Sequence, residues 1–300
     1  KDKVAFCGYH GWHDWYISSN IEQAGNLDQQ LLTGLKPNGV PNDLKGNTSP
    51  FLYNNIESLK KIISNNEIGV IIMEPQRTQQ LSLSFLKEVR KIATKIGAVL
   101  IFDEVTSGFR VNNGGIHLTF GVDPDMAIFG KALGNGFPIS AIIGKKNIMK
   151  AAETSFISST FWTERIGFTA ASKTLDIIAR DKVYENLISY GNQVTNAWEK
   201  SAINNNVSIK VTGIPPLRYF AFDNENPDVT QTFYTQEMLK KGFLAGSSVY
   251  ATNAYTDEII KKYENNSSII FDKIQYYNSK GNLFDKLEGP VIEKGFKRLN

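Results

Sequence analysis

The stretch between residues 70 and 104 constrains the fold most. Val70-Ile71-Ile72-Met73 is an unbroken apolar run that stops at Glu74-Pro75. Residues 81–96 then place apolar side chains at helical spacing and end at Gly97, a residue type that closes helices. The next run, Ala98-Val99-Leu100-Ile101-Phe102, stops at Asp103-Glu104. Strands that are apolar throughout are covered on both faces, and strand–helix–strand at this spacing is the βαβ unit of a parallel sheet. Residues 4–7, closed by Gly8, residues 126–129, running into Gly130-Lys131, and residues 141–144 read as further strands. The expected class is therefore α/β, a mostly parallel sheet flanked by helices. Such sheets bind ligands beyond the carboxyl ends of their strands. Glu74, Asp103 and Lys131 each sit at such an end, so one sheet edge would gather them.

Elsewhere the pattern is looser. Residues 11–54 are rich in Gly, Asn, Ser and Pro and read as one long loop, a feature often tied to function. Residues 56–63 have helical spacing. Beyond residue 163 come two long helical patterns (163–179 and 182–204), short strands near 208–211 and 219–222, a helix near 230–241 and a strand near 242–245. A last helix is opened by Thr256, with Asp257 and Glu258 in its first turn. This suggests a smaller α+β domain, with the division between residues 180 and 206. The expected domains are 1–190, the large one, and 191–300.

Composition narrows the function classes. Among 300 residues, 33 basic and 30 acidic side chains leave a net charge of only +3, too small and too dispersed for a nucleic-acid or anionic-membrane binder. No apolar run approaches the length of a membrane span. A single cysteine, Cys7, rules out a disulfide framework within the chain and fits a reducing compartment, the cytoplasm.

Four segments carry residues suited to chemistry. Asp103, at the end of a buried strand, would favour a cationic partner to offset the cost of burying its charge. A protonated pyridine nitrogen is such a partner; a turn cap or an ion pair with Arg110 is the structural alternative. Lys131 lies between a strand and the glycine-rich turn Gly134-Asn135-Gly136, where it can approach a cofactor closely. A Schiff-base lysine needs a lowered pKa, which a buried position beside other cations supplies; a surface turn is the alternative. Ala132 after Lys131 excludes a Walker A loop, and the glycine spacing is incomplete for a dinucleotide fingerprint. In Tyr9-His10-Gly11-Trp12-His13, two histidines lack the further ligands a zinc site needs, so a stacking Tyr9 and a hydrogen-bonded His10 are expected instead. Asp123-Pro124-Asp125 reads as a turn before a strand. Ser158-Ser159-Thr160 precedes a helix and suits either a phosphate or an N-cap.

Taken together, these segments resemble the class III aminotransferases of fold type I, which use pyridoxal 5'-phosphate (PLP), and in particular the glutamate-1-semialdehyde 2,1-aminomutase-like members. The matching stretches are Gly8-Tyr9-His10-Gly11, Gly39-Val40-Pro41, Leu52-Tyr53-Asn54-Asn55, Met73-Glu74-Pro75, Asp103-Glu104-Val105 with Gly108-Phe109-Arg110, residues 130–138, and Ser159-Thr160-Phe161. The resemblance implies that Lys131 forms the Schiff base and shuttles the proton, while Asp103 pairs with the pyridine nitrogen. It implies that Val105 and Tyr9 pack on the two ring faces, with Glu74 and His10 as supporting polar residues. Thr160 would reach the phosphate held by a partner subunit of a homodimer, and the substrates would be a small-molecule amino donor and acceptor.

Some features depart from the family. Its phosphate loop, of Gly-Ser/Thr-Glu-Ala type, would precede Lys1, so these residues are expected to lack it. Trp162-Thr163-Glu164-Arg165 replaces a common Ser-Gly-Asn-Pro, and Tyr255 stands where the aminomutases usually have histidine. The alternative to an enzyme is an incomplete aminotransferase-fold chain acting only in dimerisation. A nucleotide-binding module would require the glycine fingerprint that is incomplete here.

Overall fold

The computed structural model describes residues 1–30, 33–78 and 81–293. By its internal contacts the chain separates into two units. The first comprises Lys1–Gln76 and Leu81–Lys182; the second runs from Val183 and also includes Arg77 and Thr78.

The first unit is built on a six-stranded sheet. In chain order its strands are β1 (Lys3–Cys7), β2 (Thr48–Pro50), β3 (Ile68–Met73), β4 (Val99–Asp103), β5 (Met126–Phe129) and β6 (Ala141–Gly144). Their spatial order is β2-β1-β3-β4-β5-β6. All neighbours are parallel except β5 and β6, which are antiparallel. Helix α1 (Ile56–Asn65) is capped by the Asn55 side chain, which accepts the Ser58 amide at 3.1 Å. Helix α2 (Leu83–Ile96) begins at Ser82, whose hydroxyl accepts the Phe85 amide at 3.2 Å, and stops at Gly97, with φ +69°. Phe85, Leu86, Val89, Ile92 and Ala93 form the one face of α2 that is buried, against Ile71, Met73, Leu100 and Phe102 of the sheet. Full burial of each larger apolar side chain is worth about 1.5–3 kcal/mol, so a charge at Val89 would break this layer. Helix α3 (Ile166–Asp181) completes the unit.

The second unit holds an antiparallel sheet, β7 (Ile209–Ile214), β8 (Leu217–Phe222) and β9 (Ser248–Tyr250), in that order. With it are helices α4 (Val183–Asn204), α5 (Pro227–Lys240) and α6 (Asp257–Ser279). Thr256 caps α6 by accepting the Ile259 amide at 3.2 Å. The core of this unit is aromatic, with Trp198, Phe220, Phe222, Tyr234 and Phe271 in contact. Glu237 is buried there between Lys240 and Lys273, each at 2.7 Å; burial raises its carboxyl, but the two lysines win and hold it at about 2.

Two expectations need correction. Residues 11–54 are not one loop: they contain short helical turns (Asp14–Ile17 and Ser19–Glu22) and the strand β2. Strand β2 is Thr-Ser-Pro, with no apolar run, and exists because it pairs with β1. The expected strand at 242–245 is absent; Gly242, with φ +84°, closes the turn after α5 and the strand begins only at Ser248.

Candidate active site

Because β1, β3, β4 and β5 are parallel and in register, the residues just beyond each strand emerge at one sheet edge. Cys7 pairs with Met73, Met73 with Phe102, and Asp103 with Ile128. That edge therefore receives Gly8-Tyr9-His10, Glu74, Asp103 and Gly130-Lys131. A cavity of about 470 Å³ opens there, lined by Tyr9, His10, Glu74, Asp103, Val105 and Lys131, among others. Ile72 and Ile128 add apolar side chains, and Thr106, His13 and Trp15 complete much of the wall.

Lys131 is exposed rather than buried, and its Nζ donates to the Thr106 hydroxyl at 2.7 Å. Its backbone is left-handed, with φ +45°, an unfavourable conformation for a residue with a Cβ. Such a departure needs support from the surrounding structure. It arises at the strand-to-turn transition in Phe129-Gly130-Lys131, where a short helical turn (Lys131–Leu133) begins.

Asp103 caps the turn that follows β4, through the Val105 amide, and does not pair with Arg110, whose Nε donates to the Thr106 carbonyl at 2.7 Å. Its Oδ2 lies 2.9 Å from Nδ1 of His10, and its Oδ1 accepts the Val105 amide at 3.1 Å. An ionised carboxylate offers about four acceptor positions, so capacity remains on the side chain that lines the cavity.

The Tyr9 ring packs against Trp12 and Tyr16, with centroids 5.0 and 5.9 Å away. Its amide donates to Glu74 at 3.0 Å, which ties β1 to the end of β3. Glu74 is buried, 3 % exposed. Burial first, and then the Glu74 charge, push the Cys7 thiol well above its ordinary range, so Cys7 stays a neutral core group. Gly8 makes this corner possible. Its φ is +101°, and a Cβ there would lie 2.5 Å from the Tyr53 hydroxyl and 2.8 Å from Glu74 Oε2.

Thr160 is not brought to this cavity. It lies on an exposed turn and is absent from the lining. Nor do the preceding serines cap α3. Glu164 does, accepting the Ile166 and Gly167 amides at 2.5 and 3.0 Å. A carboxylate there also suits the positive end of the helix dipole.

Two supporting residues escape a reading of the sequence. Thr106 is the acceptor for Lys131; its only signal is its place just after Asp103-Glu104-Val105. Glu104 is fully buried and accepts from the Ser107 hydroxyl (2.6 Å), the Ile116 amide (2.9 Å), the His117 amide (3.0 Å) and His117 Nδ1 (2.9 Å). It organises the loop after β4, and no spacing rule announces that role. Among the described residues, no group of three or more His, Cys, Asp or Glu side chains is placed to hold a metal ion.

Lys131 and Asp103 thus face one cavity at the carboxyl edge of a parallel sheet, and known structures share the fold. The FumI protein of a Sphingopyxis species, solved with PLP, superposes with a TM-score of 0.81 at 23 % identity, over 93 % of this chain and 66 % of that one. An omega-transaminase from Sphaerobacter thermophilus gives 0.79 at 18 % identity, over 91 % and 68 %. The fold is that of the fold type I PLP transferases.

The chain belongs to the aminotransferase class-III family, whose model matches residues 20–261. It is 34 % identical to a 3-aminobutyryl-CoA aminotransferase of Cloacimonas acidaminovorans over 79 % of this chain and 55 % of that protein. It is 32 % identical to a glutamate-1-semialdehyde 2,1-aminomutase of Neisseria meningitidis over 87 % and 66 %. The chain thus spans between about half and two thirds of the length of these two relatives.

Proposed function

We propose that this chain carries the catalytic lysine of a PLP-dependent aminotransferase or 2,1-aminomutase. The observation that carries the reading is the convergence of Lys131 and Asp103 on one cavity of about 470 Å³, a size usual for small-molecule sites. The cavity fits PLP in chemistry as well as size. It offers a primary amine to an aldehyde, a carboxylate to a ring cation, and aromatic and aliphatic side chains, Tyr9 and Val105, to flank a flat ring. When bound, PLP supplies an electron-withdrawing ring that accepts the electron pair left as a C–H bond beside the substrate nitrogen breaks. Lys131 Nζ would hold the cofactor and carry the proton between carbons, and Thr106 would orient that amine. Asp103 would keep the ring nitrogen protonated. Glu74 and His10 would hold Tyr9 and Asp103 in place.

The two relatives named above catalyse an amino transfer and an amino shift, so they support the reaction class and leave the substrate open between them. The test is spectroscopic. PLP added to the protein is expected to give a visible chromophore that borohydride abolishes, and Lys131→Ala is expected to lose it completely. A K131A protein that keeps the chromophore overturns the lysine assignment. Turnover without a keto acid then marks a mutase, and dependence on one marks a transferase.

Thr160 and its neighbours support a homodimer. Phe156, Phe161, Trp162 and Phe168 flank it and are all largely exposed, from 60 to 99 %. Exposed apolar clusters of this kind mark contact surfaces. Sedimentation is expected to give a dimer, and Phe161→Glu with Trp162→Glu to give a monomer; a wild-type monomer at micromolar concentration would overturn this.

A further inference from the structure

We propose that His13 sets the substrate specificity of the cavity, and that its imidazole takes a hydroxyl group of the substrate. The proposal rests on the function proposed above. The three histidines of the chain, at 10, 13 and 117, differ in one respect. His10 lies 2.9 Å from Asp103, and His117 lies 2.9 Å from Glu104. Among the described residues, the His13 side chain alone of the three makes no hydrogen bond or ion pair. His13 stands at the N-cap position of the helical turn Asp14–Ile17. Its carbonyl accepts the Tyr16 and Ile17 amides there, both at 3.0 Å, but its ring does not cap the turn. The ring lines the cavity that also holds Lys131 and Asp103.

Two contacts set the ring in place. It lies nearly parallel to the Trp15 indole, 10° between planes and 6.3 Å between centroids. Its Nε2 occupies the space over Gly11, where a Cβ would stand only 2.6 Å away. Gly11, with φ +91°, is the residue that admits it. A polar group oriented by packing, facing a cavity, is the kind that gives a pocket its specificity.

Every other polar side chain lining the cavity has a duty in the function proposed above. Lys131 and Asp103 hold the cofactor, Thr106 orients the amine and Tyr9 flanks the ring. Glu74 and His10 hold Tyr9 and Asp103. The partner that remains for His13 is the substrate. An imidazole donates through one nitrogen and accepts through the other, and a hydroxyl answers both. A carboxylate only accepts. It would also meet a cavity whose described charged groups are two carboxylates, Glu74 and Asp103, against one amine, Lys131. A hydroxyl carries no charge into that balance.

The experiment follows amino transfer in the PLP-loaded protein as decay of its visible chromophore. The probes are straight-chain amino alcohols of two to four carbons. Each is paired with the alkylamine in which a methyl group replaces the hydroxyl. A site that bonds a hydroxyl discriminates against the analogue lacking it. One hydrogen bond predicts that the wild type prefers the alcohol by about 3-fold to 10-fold in kcat/KM at one chain length or more. His13→Phe, which keeps an aromatic ring beside Trp15, is expected to abolish the preference. His13→Gln, whose amide also donates and accepts, is expected to restore part of it. PLP affinity is expected to match the wild type in both variants. Equal rates for alcohol and alkylamine at every length, or no reaction with either, overturn the proposal. A preference that survives His13→Phe overturns it too. So does weaker PLP binding in His13→Phe, because the ring then serves the cofactor. A preference for the matching amino acids with a terminal carboxylate, lost in the same variant, overturns the hydroxyl in favour of an anion. A wild-type protein that takes up no PLP overturns the function proposed above and this proposal with it. One that takes up PLP and shows no preference overturns this proposal alone.

Discussion

Two aspartates bracket the parallel sheet, one at each edge. Asp103 ends β4 at the carboxyl edge, and Asp125 precedes β5 at the amino edge. Both are largely withdrawn from solvent, with side chains 12 % exposed. Their partners separate them. Asp125 accepts from Arg90 (2.9 Å), Lys145 (2.7 Å) and the Leu100 amide (2.8 Å). Burial alone would raise its carboxyl, but these donors together hold it below the ordinary range. Asp103 has one histidine and one amide, and it faces a cavity. A buried acid saturated by fixed cations is a rivet; one with acceptor capacity remaining beside a lysine is a candidate for chemistry. A cavity of about 600 Å³ also borders Asp125, lined by Lys87, Arg90 and Lys145. Its larger size does not make it the site, because its central carboxylate is already satisfied.

The comparison can be broken at either edge. The largest effect is expected from Asp103→Asn, which leaves the ring nitrogen of a bound cofactor without its counter-charge. Amino-transfer rate should fall at least about 100-fold, a loss of roughly 2.7 kcal/mol in transition-state stabilisation, with the melting temperature nearly unchanged. An equal loss of rate in Asp125→Asn would erase the distinction.

Asp125→Ala should do the opposite. Removing an acceptor of three donors should cost about 2 kcal/mol of stability in denaturant titration, with little change in rate per folded molecule. The effect should depend on pH in a definite direction. A carboxyl held lower in the folded chain than the unfolded value of about 3.9 contributes stability that is present above that value and lost as pH falls below it. The wild-type excess over D125A should therefore shrink on acidification, and an excess that grows would show that Asp125 is not an ion-paired rivet.

The boundary between legible and illegible features runs along physical lines. Strands β1, β3, β4 and β5 are legible in the sequence because burial on both faces forces runs such as Val-Ile-Ile-Met. Helix ends are legible where a single residue does the work, as at Gly97 and Thr256. Strand β2 is not, since Thr48-Ser49-Pro50 is a strand only by virtue of its neighbour. In the site, Lys131, Asp103 and Glu74 can be placed at one edge because parallel strands share a direction. The bond between His10 and Asp103 spans 93 positions, and the contacts of Glu104 reach backbone amides 12 and 13 residues on. Neither can be read from local spacing. The exposure of Lys131 runs against the buried position expected of it, because accessibility depends on what covers a turn, and composition does not report that.

The left-handed backbone at Lys131 bears on stability as well as on chemistry. A side chain with a Cβ in that region costs roughly 1–2 kcal/mol, and asparagine tolerates it better than lysine does. Lys131→Asn should therefore melt at a higher temperature than the wild type while losing all Schiff-base chemistry. Lys182, at the end of α3, has the same left-handed backbone with φ +47°, so the conformation alone does not mark a reactive lysine. The melting temperature gained in Lys131→Asn would measure what the fold gives up to hold an amine at this turn.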